Sequence, residues 1–165
     1  MPLQPTTEKK PVLDNRMLVV VPSHPLIKHW VSVIRNEQTP PPIFKNAMAE
    51  LGRLLMYEAS RDWLVVPILR AGLALAEHAS SILPTTKTYH LGGTILTAID
   101  LIKERGVDNQ HIKVVCAVTC PPALKKLSDK YPGLQVYAGI IDPTLTDKGM
   151  ILPGLGDAGD RSFGT

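Results

Sequence analysis

An α/β fold, with a parallel sheet flanked by helices, is the class this sequence predicts, and two observations predict it. Short continuous apolar runs of strand length recur along the chain, and stretches with helical spacing of apolar residues separate them. Strands that read as unbroken apolar runs are buried on both faces, and their alternation with helices is the pattern of parallel strands joined by crossover helices.

Each element has its own signal. Residues 17–21 are apolar and mostly β-branched, which suits a first strand. Pro25, with φ preset for a first turn, opens a helix that runs to Arg35. Residues 43–61 read as a longer helix, because Ile43, Ala47, Leu51, Leu54 and Leu55 recur on one face. Strands are expected at 65–69, 86–91, 113–118 and 135–141. Between them come helices at 73–83, at 94–105 with Gly106 as the stop, and at 123–130. Residues 1–16, carrying Pro and Lys, read as a flexible arm before a single domain at 17–165.

Composition bounds the function classes. A chain of 165 residues, 44% hydrophobic and with mean hydropathy +0.06, fits one domain that buries about two-thirds of its unfolded surface. A net charge of +3 spread over 18 basic and 15 acidic residues is too mild and too mixed for nucleic-acid or membrane binding, and suits an anionic small molecule better. No stretch approaches the roughly 20 apolar residues of a membrane span, and the first ten residues lack a secretory core. Cys116 and Cys120 lie in a strand-like run with no second ligand pair nearby, so they read as buried thiols rather than a zinc site. The five histidines form no metal or triad pattern. Met48, Met56, Trp30 and Trp63 read as packing residues.

The chemistry concentrates in residues 151–165, where Gly154, Gly156 and Gly159 are interleaved with Asp157, Asp160 and Arg161. Glycines let the main chain itself line a pocket. Backbone N–H groups serve anions, and carboxylates serve hydroxyls or Mg²⁺. Residues 154–159 match G-x-G-x-x-G, but the dinucleotide fingerprint also requires an acidic residue about 20 positions on, which is not there. A plain exposed turn would not need two carboxylates and an arginine. In open α/β sheets ligands bind where strands end and helices begin. Arg70 stands there, after five apolar residues, with a fork of donors matched to pyrophosphate; a structural salt bridge to Glu77 is the alternative. Gly93-Thr94 opens a helix whose free N–H groups suit phosphate.

The run PGLGDAGDRSFGT resembles the C-terminal signature of uracil phosphoribosyltransferases. The resemblance extends to Ser23-His24-Pro25-Leu26, to Arg35-Asn36-Glu37-Gln38-Thr39, to Glu50-Leu51-Gly52, to Val66-Pro67-Ile68-Leu69-Arg70-Ala71-Gly72-Leu73, and to Gly93-Thr94, Pro121-Pro122 and Ile141-Asp142. Its wording is nearest the plant, plastid-associated branch. It implies a type I phosphoribosyltransferase-like domain that converts uracil and phosphoribosyl pyrophosphate (PRPP) to UMP and pyrophosphate. Arg70 would contact pyrophosphate, Gly93 and Thr94 would hold the ribose phosphate, and Asp157 would hold PRPP. Ile151, Gly156, Asp157 and Ala158 would read the uracil edge. The implied cofactor is Mg²⁺, carried by PRPP and not ligated directly by the protein. The resemblance also implies GTP binding, a homo-oligomer or a place in a larger assembly, and a plastid location in a plant or alga, with the cytoplasm otherwise.

Two departures from the family pattern stand out. A family stretch is absent after Asp62-Trp63-Leu64. A longer one, with the acidic PRPP motif D-P-x-L-A-T-G-G, is absent after Tyr89-His90-Leu91 apart from its last glycines. The expectation is that mobile segments are missing at seams near 64/65 and 92/93. If the chain is truly that short, a non-catalytic paralogue serving as a structural subunit is the alternative. A nucleotide-sensing regulator is the third reading.

Overall fold

The structure, a computed structural model, describes residues 17–59, 66–68, 70–82, 94–147 and 149–165. In chain order its elements are β1 (Leu18–Val20), α1 (Pro25–Arg35), α2 (Pro41–Ala59), α3 (Ala71–Ala76), α4 (Ala79–Ile82), α5 (Ile95–Lys103), a 3₁₀ turn (Asn109–His111), β2 (Lys113–Thr119), α6 (Pro121–Lys130), β3 (Gln135–Ile141), β4 (Thr144–Leu145), β5 (Ile151–Leu152) and α7 (Ala158–Phe163). Strands β1, β3 and β2 lie in that order in one parallel sheet, with Val19 and Val114 both opposite Val136. Strands β4 and β5 form a separate antiparallel pair.

Both faces of the parallel sheet are covered, as the unbroken apolar runs require. On one face Ala117 packs with Ile27, Ile34, Phe44, Leu51 and Leu75 from α1, α2 and α3. On the other, Val114 and Val136 meet Ile99, Leu127 and Tyr131 from α5 and α6. The period-2 alternation of β2 sends Val114 and Cys116 to the α5–α6 side and Val115 and Ala117 to the α1–α2 side. Tyr131 is buried and its hydroxyl lies 2.8 Å from Asp100 Oδ1 and 3.0 Å from Leu96 O, two acceptors that share its one proton, which ties α6 to α5.

Several expectations need correction. The 43–61 helix starts at Pro41, and its core stripe is Phe44, Ala47, Met48, Leu51 and Leu55 while Ile43 is exposed. Prolines suit a first turn, so α6 likewise starts at Pro121 rather than 123. The helix expected at 73–83 is two short ones separated at Glu77 and His78. The helix expected from 94 to 105 is Ile95–Lys103, with Thr94 as its N-cap. The hairpin β4–β5 and the terminal helix α7 carry no counterpart in the sequence reading. Cys116 and Cys120 are unpaired thiols; burial pushes the Cys116 thiol up to about 12. The arm 1–16, the strand expected at 86–91, Val65 and Leu69 of the one expected at 65–69, Trp63 and both seams lie outside the described residues, and of residues 66–68 only Ile68 makes an isolated bridge.

Candidate functional site

The C-terminal ends of the parallel strands share one edge, and the loop between β5 and α7 lies against it. Two anchors hold the loop there. Asp142, the first residue beyond β3, is 2% exposed; its Oδ2 accepts from Gly154 N at 2.8 Å and its Oδ1 from Arg35 at the end of α1. Its own N–H donates to Thr119 O at 2.8 Å, which locks it to the end of β2. A carboxylate this buried must be paired, and here both oxygens are.

Arg161 of α7 is the second anchor. It donates Nη1 to Ile34 O at 2.5 Å and Leu155 O at 2.6 Å, and Nη2 to Asn36 O at 2.7 Å. Its guanidinium also stacks over Phe44, 4.2 Å from the ring centroid. Last-turn carbonyls of a helix are unsatisfied and carry partial negative charge, so a planar cation suits them. Burial lowers the Arg161 pKa from its ordinary value.

Between the anchors the chain makes a sharp turn. The Leu152–Pro153 peptide is cis, and Gly154 and Gly156 have φ of +59° and +75°. Asp157 then caps α7, its Oδ1 accepting from Gly159 N at 2.8 Å and Asp160 N at 3.0 Å. Among the described residues, the N–H groups of Gly156, Asp157 and Ala158 make no hydrogen bond, and neither does Asp157 Oδ2. Gly156 and Asp157 are exposed and Ala158 half-buried. The loop therefore offers a row of backbone donors and one free carboxylate oxygen on a backbone fixed from both ends.

Arg70 reaches this same loop. It donates Nη2 to Asp160 Oδ1 at 2.5 Å and Nη1 to Thr165 Oγ1 at 3.2 Å, while Glu77, the partner expected for a structural bridge, pairs with Lys45 at 3.4 Å. The Arg70 and Asp160 side chains are about half exposed, and such pairs are worth about 0–1 kcal/mol. The guanidinium can therefore exchange Asp160 for a more highly charged anion.

The structure thus brings together Arg70, Gly156, Asp157 and Ala158, with Ile151 on β5 leading into the turn. Thr94 stands apart: its Oγ1 meets Thr97 Oγ1 at 3.2 Å, and no hydrogen bond among the described residues links it to the loop. Gly93 lies outside the described residues. The sequence reading missed Asp142 and Arg35 as loop supports, and counted Arg161 only as charge on the turn. A cavity of about 280 Å³ between α2, α3, α5 and β2 is lined mostly by apolar residues such as Met56, Leu75, Ile99 and Val114 and by none of the candidate residues.

No three His, Cys, Asp or Glu among the described residues come together as metal ligands. No helix among them is long and apolar enough to cross a membrane.

Comparison with known proteins gives a consistent result. The family model for uracil phosphoribosyltransferase matches residues 21–65 and 91–165, which include Gly93, Thr94 and the whole C-terminal loop but not Arg70. The chain is 58% identical to "Uracil phosphoribosyltransferase" of Nicotiana tabacum, covering 96% of this chain and 99% of that protein. It is 54% identical to "Uracil phosphoribosyltransferase, chloroplastic" of Arabidopsis thaliana, covering 92% and 73%. Among solved structures, that of the AQ2163 protein from Aquifex aeolicus superimposes with a TM-score of 0.81 at 29% identity, covering 88% of this chain and 98% of that one. With parallel sheet, terminal glycine loop and near-complete coverage by these relatives in agreement, the chain belongs to the uracil phosphoribosyltransferase family.

Proposed function

We propose that the protein transfers the phosphoribosyl group of PRPP to uracil, forming the bond from uracil N1 to ribose C1 as the C1–pyrophosphate bond breaks and the N1 proton is released. The observation that carries the reading is the anchored loop, whose unpartnered N–H groups at Gly156, Asp157 and Ala158 lie on the same short segment that Arg70 touches through Asp160. Positive charge develops on the ribose as pyrophosphate departs, so the enzyme's task is mainly to position reactants and stabilise the leaving anion. Arg70 binds pyrophosphate by its fork. Asp157, oriented by its capping bonds, keeps Oδ2 for a ribose hydroxyl or the water shell of Mg²⁺. Gly93 and Thr94 receive the ribose phosphate. Uracil lies along the backbone of Ile151 and 156–158.

Mg²⁺ enters with PRPP in this reading, and supplies charge neutralisation on the pyrophosphate oxygens. Asp157 Oδ2 is the oxygen of this chain that suits its hydration shell, whereas the described residues offer no cage of side chains for a bare ion. Plastid residence is supported by the identity to the chloroplastic Arabidopsis protein, and association into a homo-oligomer is part of the same reading.

A second reading, a non-catalytic structural paralogue, rests on the absence of the D-P-x-L-A-T-G-G motif from the sequence. One assay separates the two. Purified protein given uracil, PRPP and Mg²⁺ should form UMP and pyrophosphate in equal amounts. Failure to form UMP, with the protein folded, selects the paralogue.

A further inference from the structure

Asp142 touches no candidate substrate position, yet the shape of the loop depends on it. Its carboxylate is the acceptor for Gly154 N at 2.8 Å, and Gly154 is the first residue of the turn with left-handed φ. Its other oxygen meets Arg35, the last residue of α1, whose Nε is buried without a partner among the described residues. Because the Asp142 N–H is bound to Thr119 O, the carboxylate is rigidly referenced to the ends of β2 and β3. The Asp142–Arg35 pair therefore fixes Gly154 relative to the sheet edge, while Arg161 holds Leu155 O from the other side.

We propose that Asp142, paired with Arg35, is the positioning residue of the base-reading loop, and that it governs uracil affinity and base selectivity without contacting the base. This rests on the proposed uracil transfer. A carboxylate is a stronger acceptor for Gly154 N–H than a neutral amide. The amide of Asp142→Asn would also turn an N–H₂ toward either Arg35 or Gly154 N, donor against donor. The loop should then sit higher and move more, while Arg70, on a different element, keeps its place.

The test uses the intact protein and two readouts. In Asp142→Asn, amide hydrogen exchange at Gly154 should speed up by about tenfold or more, the scale of one lost charge-assisted hydrogen bond. The KM for uracil should rise by about the same factor and the preference for uracil over cytosine should shrink, while the KM for PRPP, which Arg70, Gly93 and Thr94 also hold, should rise several-fold less. Arg35→Lys, which keeps a cation beside Asp142, should fall between the two proteins, and it serves as the test variant where Asp142→Asn does not fold. Unchanged exchange at Gly154 overturns the positioning role. Equal rises in both KM values with unchanged selectivity overturn it as well, and point to a general loss of stability. If the unsubstituted protein turns over no uracil, the proposed function fails, and the exchange result still decides whether Asp142 sets the loop.

Discussion

Gly154 and Gly156 both adopt positive φ within three residues, but their surroundings predict different costs for an added methyl group. At Gly156, φ +75°, a Cβ would meet only Arg161 Cδ at 3.5 Å, an ordinary contact. Gly156→Ala therefore costs about 1 kcal/mol, the penalty of left-handed backbone. At Gly154, φ +59°, the Cβ would lie 2.1 Å from Ile151 O and 3.0 Å from Ile151 C. Both are backbone atoms, so the turn itself must move. That motion pulls Gly154 N from Asp142 Oδ2, and hydrogen bonds to charged groups contribute about 1.5–3 kcal/mol. Added to the backbone penalty, Gly154→Ala should cost about 3–4 kcal/mol. For a domain of this size 1 kcal/mol moves Tm by roughly 2–4 °C, so Gly154→Ala should lower Tm by about 10 °C and Gly156→Ala by about 3 °C. Thermal melts and urea titrations with unchanged m-values check this directly. Equal losses at the two positions would refute the role given to the Ile151 carbonyl and to Asp142.

Further outcomes follow from the same contacts. Arg70→Lys should raise the PRPP requirement or lower the rate while leaving the uracil KM nearly unchanged, because a point charge cannot reproduce a bidentate fork; equal loss for both substrates with a lowered Tm would instead mark Arg70 as a structural partner of Asp160. Arg161→Ala removes three bonds to carbonyls and the contact with Phe44, and should destabilise by about 3 kcal/mol, with Arg161→Lys recovering part of it in urea titrations. Hydrogen bonding from Arg53 holds the Glu50 carboxyl below its ordinary 4.5, and Lys130 and then Tyr131 hold Asp100 below 3.8. Depressed folded values give stability that is present above those ordinary values and lost as pH falls through the folded ones. Tm should accordingly drop as pH falls below about 4.5, and Glu50→Gln with Asp100→Asn should flatten that acid limb.

What the sequence made legible was local. Helix α1 was readable to its ends because Pro25 sits in the first turn behind a capping His24, whose Nδ1 accepts from Leu26 N at 3.2 Å. Strand β3 was readable because seven apolar-rich residues needed cover on both sides. The break between α3 and α4 was not, since it coincides with a tertiary contact: His78 Nδ1 lies 3.1 Å from Glu50. Helix α7 escaped because its six residues carry no apolar stripe, although Asp157 as N-cap and Gly164 at φ +69° as the stop were signals that could have found it. The loop was recognisable from its glycines and carboxylates, and Arg70 from its place after an apolar run. The supports were not. Arg161 bonds carbonyls of Ile34 and Asn36, 127 and 125 positions away, and Asp142 looks in sequence like any acidic residue ending a strand. Backbone carbonyls carry no sequence label, so only the fold reveals such anchors.

The central claim, that a fixed glycine-rich backbone reads the base, is tested most directly by turnover of uracil against cytosine. Uracil offers carbonyl acceptors at O2 and O4 and a donor at N3, whereas cytosine presents an acceptor at N3 and an amino donor at position 4. A loop that presents N–H to O4 and C=O to N3–H faces donor with donor and acceptor with acceptor when cytosine enters. Sites built on buried hydrogen bonds reject such analogues by about 10⁴-fold or more. With PRPP and Mg²⁺ saturating, kcat/KM for uracil should exceed that for cytosine by at least about that factor. Comparable turnover of the two bases would contradict the claim.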